Sequence, residues 1–239
     1  LGIVYMGNPN RFVINQEERW YEDDKLATKC FSKALNIMTE KMGELNLDVV
    51  DARHNLAVLC WRRLCQNRKE KRFDWEKEFE KAMHLFSNAL RIQESTLGGD
   101  HVDVARTLNF MGKMHMLQAD KYANTVEATK LECLGLSFNM LSDSLQIRRE
   151  ALIEMKEKMP YMTEGDCRND KLVLDISQNL FDVAVTCDAQ GNLTKAKEIL
   201  EEAISVLEKE NNTADESDRK KNKRQTFHEA HSLWLAKTW

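Results

Sequence analysis

"FSNALRIQESTLGGDHVDVARTLN", residues 86–109, decides how the rest of the chain is read. Phe86, Ala89, Leu90 and Ile92 recur at helical spacing up to a glycine pair, Gly98-Gly99, and a second helical pattern starts at Asp100 or shortly after. Glycine takes the left-handed conformation that ends a helix, and acidic residues suit the positive end of the next one. The stretch is therefore a seam between two helices.

The seam recurs. Slid against itself by one fixed step, the sequence lays Gly43 on Gly98 and Asp48-Val49 on Asp103-Val104, a 55-residue period. The same shift carries Phe31, Ala34, Leu35 and Ile37 onto Phe86, Ala89, Leu90 and Ile92, and then onto Leu141, Ser144, Leu145 and Ile147. It also pairs Trp20 with Trp75, Ala27 with Ala82, and the small residues Gly2, Ala57 and Gly112. Each unit reads as two helices. The second carries one apolar stripe, Trp75, Phe79, Ala82, Met83, Phe86, Ala89, Leu90 and Ile92. The first starts near Asp48 or Asp103 and continues through Leu56 and Leu59, or Leu108 and Met111. Helix pairs that cannot bury their faces alone stack into a solenoid, so the expected fold is all-α.

Composition agrees. Only 9 Gly and 2 Pro in 239 residues suit a helix-dominated chain, and a net charge of −4 offers no basic surplus for general nucleic-acid binding. The six cysteines form no CxxC pair and read as buried or free thiols of a reducing compartment, so a cytoplasmic setting is expected, with cytoskeletal association as a variant of it. "LGIVYMG" is too short for a signal peptide, and no apolar run approaches membrane-spanning length. A start at Leu1 leads us to expect a segment of a longer chain.

The last unit, "LFDVAVTCDAQGNLTKAKEILEEAISVLEKE", resembles the tetratricopeptide repeat, with Ala184, Cys187, Gly191, Leu193, Ala196, Leu200 and Ala203 at that family's signature places. "ALRIQESTLGGDHVDVARTLN" is similar to the kinesin-light-chain-like branch, with Val102 where that branch usually has proline, and "DVVDARHNLAVL" keeps its Asn-Leu-Ala. The resemblance covers nearly all of residues 1–210 and implies a tetratricopeptide-like α-α superhelix.

One departure stands out. Gly2 to Ala27, Ala57 to Ala82 and Gly112 to Ser137 are equal steps, and each is about twice the step from Ala184 to Ala196. Three units thus carry a 13-residue insertion at the turn inside the pair. Shared evenly it adds about six residues, roughly 9 Å, to each helix and raises a wall along one edge. The expected organisation is an array over 1–210, with a loop at 156–170 before a standard unit at 171–210. A polar linker at 211–224 and a capping or next-unit helix at 225–239 follow.

No catalytic motif is present: no GxGxxG, phosphate loop, GxSxG or HExxH. His228 and His231 read as terminal-helix residues, Cys60 and Cys65 as packing beside Trp61 and Leu64, and the run Arg219 to Arg224 as a solvated linker. No enzyme activity, cofactor or metal is expected.

In the resembled family the first helices line a concave groove that takes peptides. Carrying its positions across places Asp51, His54, Val58 and Trp61, then Arg106, Asn109, Lys113 and Met116, then Gln178, Phe181, Val185 and Asp188 on that face. Asn55 and Asn109 match asparagines that hold a peptide backbone in the kinesin-light-chain-like branch. Arg106 and Lys113, two helical turns apart, would meet an acidic segment. The expected function is a protein-binding scaffold or adaptor with a protein or peptide partner, no nucleic acid and no membrane insertion. The rival expectation is an assembly module of a larger complex, docking through the extended edge at Trp20, Phe73 and Trp75.

Overall fold

The computed structural model of the chain describes residues 16–66, 73–123, 127–158 and 167–211, with side chains placed over 26–66, 73–123, 127–158 and 171–207. These residues form α1 (Gln16–Met42), α2 (Leu47–Gln66), α3 (Trp75–Leu97), α4 (Val102–Lys121), α5 (Glu127–Lys158), α6 (Cys167–Ala189) and α7 (Leu193–Asn211), with no strand among them. Each helix packs chiefly on its sequence neighbours, and α2 also touches α4 and α4 touches α6. Contacts that reach no further build a solenoid of the pairs α2–α3, α4–α5 and α6–α7, with α1 as the second helix of the unit before. Direct contact among α2, α4 and α6 puts these first helices on the inner side.

The seams form as their residues dictate. Gly43 and Gly98 end α1 and α3 at φ 82° and 91°, a region that costs a side chain energy. The next helix starts one residue before the aspartates, because Asn46 and His101 cap it by accepting the amides of Asp48 at 2.9 Å and Asp103 at 3.1 Å. Asp74 does the same for α3, accepting from Lys77 at 3.2 Å.

Between seams the apolar stripes meet. Phe86 of α3 is fully buried among Ala57, Cys60 and Leu64 of α2 and Met111 and Met114 of α4. The recurring small residue has a steric cause: a Cβ on Gly112 would lie 2.7 Å from Leu141 Cγ and 3.2 Å from the Ser137 carbonyl.

Measured against the tight α6–α7 hairpin, the described parts of α2, α3 and α4 each run four residues further at the insertion edge and that of α5 seven. Residues 67–72 and 124–126 lie outside the described residues. Of the loop expected over 156–170, residues 156–158 belong to α5 and 167–170 to α6, while 159–166 lie outside the described residues. The fourth unit thus has the standard hairpin but a first helix lengthened at its other end. The linker and closing helix expected beyond 211, with His228, His231 and Arg219 to Arg224, lie outside the described residues.

A polar thread runs through the buried seams between units. The His54 ring meets Thr107 Oγ1 at 3.1 Å, and that hydroxyl donates to Gln93 at 2.7 Å, so the imidazole proton sits on Nδ1. At the next seam the Asn109 and Asn179 amides lie 3.1 Å apart, with Ser144 Oγ 3.0 Å from Asn179. His54 and Asn109 are repeat equivalents, as are Thr107 and Asn179, so one contact is built twice with different chemistry. Both His54 and Asn109 are buried, at 2% and 5% exposure. This corrects their expected place on the groove: a buried polar group needs a partner, and each finds one in the next unit.

Burial, reinforced by Arg106, pushes the His54 pKa down to about 3. The ring is neutral in the folded chain and charges in the unfolded one below about pH 6.5, so its contribution to stability is complete above pH 6.5 and drains away towards pH 3. Over that window His54 alone removes about 1.4 kcal/mol per pH unit, and His54→Asn flattens the slope. Urea midpoints at pH 7 and pH 5 check this, and an equal fall in both proteins would refute it. Gly112→Ala lowers stability by about 1 kcal/mol net, overpacking against Leu141 outweighing the gain in helix propensity. Gly135, with nothing within 4 Å of its would-be Cβ, gains about 0.5–1 kcal/mol on the same change. Thermal melts of the two variants must therefore move in opposite directions.

Candidate functional site

The inner face is assembled from equivalent positions of α2, α4 and α6, one repeat period apart and then a longer step into the fourth unit, as Ala57, Gly112 and Ala184 show. Asp51, Arg106 and Gln178 share one position, Asn55, Phe110 and Asp182 the next turn, Val58, Lys113 and Val185 the one after, and Trp61, Met116 and Asp188 the last. Gln178 is exposed, and Asn55, Val58, Trp61, Arg106, Lys113, Met116, Phe181, Val185 and Asp188 are half-buried. Met116 faces both groove and interior, its sulfur accepting from Thr186 Oγ1 at 3.2 Å and its side chain packing near Ala119, Cys133 and Leu134.

Arg106 and Lys113 are already engaged. Arg106 forms an ion pair with Asp51 across the seam and a looser one, 3.5 Å, with Asp103. Lys113 Nζ lies 2.9 Å from Asp182 Oδ2, with both side chains largely buried at 17% and 10% exposure. Gln178 Nε2 donates to the other oxygen of Asp182 at 3.3 Å. The Lys113 ammonium also stands over the Phe110 ring at 5.6 Å, and Trp61 meets that ring edge-on at 5.5 Å. The middle of the face is thus an apolar and aromatic strip, Val58, Trp61 and Phe110, flanked by charges that neutralise one another.

Phe110 and Asp182 escape the sequence reading. Their signal is their place one turn from groove positions, Phe110 one turn after Arg106 and Asp182 one turn after Gln178. Asn55 of the same row is already among the expected groove residues. In this row Asn55 and Phe110 are half-buried and Asp182 is buried, whereas His54 and Asn109 are turned into the seams.

At the lengthened edge the described aromatic residues are spent on internal contacts. Trp75 is 6% exposed, stacked on Phe79 at 5.0 Å and covered by the Lys121 ammonium at 4.1 Å, which also pairs with Glu76. Phe73 is half-buried beneath the Arg63 guanidinium, 5.8 Å away, and Arg63 bonds Glu78 at 2.9 Å. The Trp20 side chain lies outside the described residues. Equivalent to Glu76, Leu131 of α5 is 50% exposed at the end of the wall, where the fourth unit's short hairpin brings no extension to meet it.

Three of the thiols, Cys60, Cys133 and Cys187, are buried packing groups. Burial, with Glu78 nearby, pushes Cys60 up to about 12, and burial also raises Cys133 and Cys187, which removes the thiolate a nucleophile needs. Among the described residues no cluster of three or more His, Cys, Asp or Glu is arranged to hold a metal ion. No helix among them is long and apolar enough to cross a membrane.

The sequence matches no protein-family model and no curated protein. Among solved structures the chain is similar to BtubC (BKLC) from P. vanneervenii, at 20% identity and a TM-score of 0.56. The likeness covers 84% of this chain and 63% of that one, so the chain spans under two thirds of its length. At this distance the likeness speaks for architecture: the chain is an all-α solenoid of tetratricopeptide-like helix pairs.

Proposed function

We propose that the chain is a non-catalytic protein-interaction scaffold that holds an extended segment of a partner protein along the inner face of α2, α4 and α6. The observation that carries this reading is the continuous contact of those three helices. It sets Asn55, Val58, Trp61, Phe110, Lys113, Val185 and Gln178 side by side as half-buried or exposed groups with apolar, amide and charged chemistry. Such a strip binds through a few aromatic anchors with polar groups fixing direction. The kinesin-light-chain-like resemblance supports the same surface and suggests a cytoplasmic, cytoskeleton-linked adaptor. Edge docking is less well supported, since Trp75 is spent on internal packing and Phe73 lies half-covered by Arg63.

Photo-crosslinking from native lysate tests the reading. A crosslinker placed at Val58 or Gln178 captures the partner, and Val58→Glu abolishes its recovery while the helical circular dichroism signal at 25 °C is retained, the change at half-buried Val58 lowering the melt but not unfolding the chain. Capture only from a crosslinker at Leu131, with Val58→Glu harmless, would overturn it in favour of the edge.

A further inference from the structure

We propose that Asp182 and Asp51 are internal stand-ins for a ligand's carboxylates: in the free chain they occupy the two groove cations, Lys113 and Arg106, which an acidic partner segment takes over on binding. The proposal rests on the inner face being the working surface, and it names both the class of partner and the contact that holds the groove closed to others.

Three features of the structure point this way. Both cations belong to α4, and their acids come from the helices on either side, Asp51 from α2 and Asp182 from α6. The fold does not demand the pairs. The place of Lys113 is filled by Val58 and Val185 in the neighbouring units, and the place of Asp182 by Asn55 and Phe110. A position that packs as valine twice has no structural need for a buried ammonium.

The pairs are also incomplete. The Lys113 contact on Asp182 Oδ2 is an ion pair without hydrogen-bond alignment, for that oxygen makes no hydrogen bond among the described residues. The Arg106 Nε donor is buried and likewise has no acceptor among them. Lys113 therefore keeps capacity for a better-aligned carboxylate, while on Arg106 the exchange is at the terminal nitrogen that now meets Asp51.

Exchange makes the groove selective. Taking Asp182 away from Lys113 without replacement strands a desolvated charge, which a neutral or basic ligand cannot repair. An incoming carboxylate repairs it, and the released Asp182 stays compensated by Gln178 and by the buried Arg148 guanidinium, whose charge it favours. Binding swaps one ion pair for another and leaves no ion alone.

Fluorescence anisotropy with a fluorescein-labelled hexa-aspartate peptide, and with hexa-lysine as its opposite, provides the test. Removing a stand-in frees Lys113 and loosens Arg106, which keeps its longer contact with Asp103, so Asp182→Asn tightens hexa-aspartate binding about tenfold and the exposed Asp51→Asn about threefold. Lys113→Gln added to Asp182→Asn erases the first gain, and hexa-lysine gains in neither single variant. Unchanged hexa-aspartate affinity in both single variants, or tightening that survives the loss of Lys113, would overturn the proposal. If Asp182→Asn does not fold, Asp51→Asn decides alone, its site being open to solvent. Unchanged affinity alongside crosslinks that still map to α2, α4 and α6 sinks the exchange but not the groove; crosslinks away from that face sink the groove.

Discussion

Phe86 has no exposed surface because helices from two successive units close over it. Its ring stacks against Phe110 of α4 at 5.9 Å and takes the edge of His54 of α2 at 5.4 Å, so a side chain of α3 is completed only when the next unit arrives. Much of the structure follows from this. A helix pair on its own would leave that ring wet, and each unit depends on its neighbour for much of its buried apolar area. Large residues on the second helices need small ones opposite them, which is why Ala57, Gly112 and Ala184 recur. Polar groups caught in the same seam must find partners there, and His54 with Thr107 and Asn109 with Asn179 do so.

The same dependence shapes the inner face. Side chains of the first helices divide between those turned to the next unit and those left to the groove, and a rotation of a fraction of a turn decides which is which. Asn55, Val58 and Phe110 fall on the open side; His54 and Asn109 do not. Because successive first helices touch, charges on this face reach across the seams, and Arg106 and Lys113 are held by acids one unit away. The paired charges leave this face without a broad potential of one sign.

The repeat, the seams and the helical stripes could be read directly, since each is written in local spacing: three-and-four periodicity, a glycine at the helix end, an acid at the next start. The insertion was legible in size, but how far each helix runs was not, because helix ends are set by what they pack on. Trp75, for example, opens α3 stacked on Phe79 one turn ahead and lying beneath Lys121 at the far end of the next unit's first helix. For the inner face, family spacing pointed to α2, α4 and α6, the first helices that touch one another. It missed Phe110 and Asp182 and included two residues that the seams bury.

The sequence by itself determined that this is an array of helix pairs with a 55-residue beat and a 13-residue excess, because periodicity and capping act over a few residues and repeat from unit to unit. Tertiary structure decided what each repeated position does: which asparagine faces solvent, which histidine stays neutral, and which cations are already paired. Those properties depend on burial and on partners a whole unit away along the chain, and a linear pattern holds no record of which side of a helix its neighbour will cover.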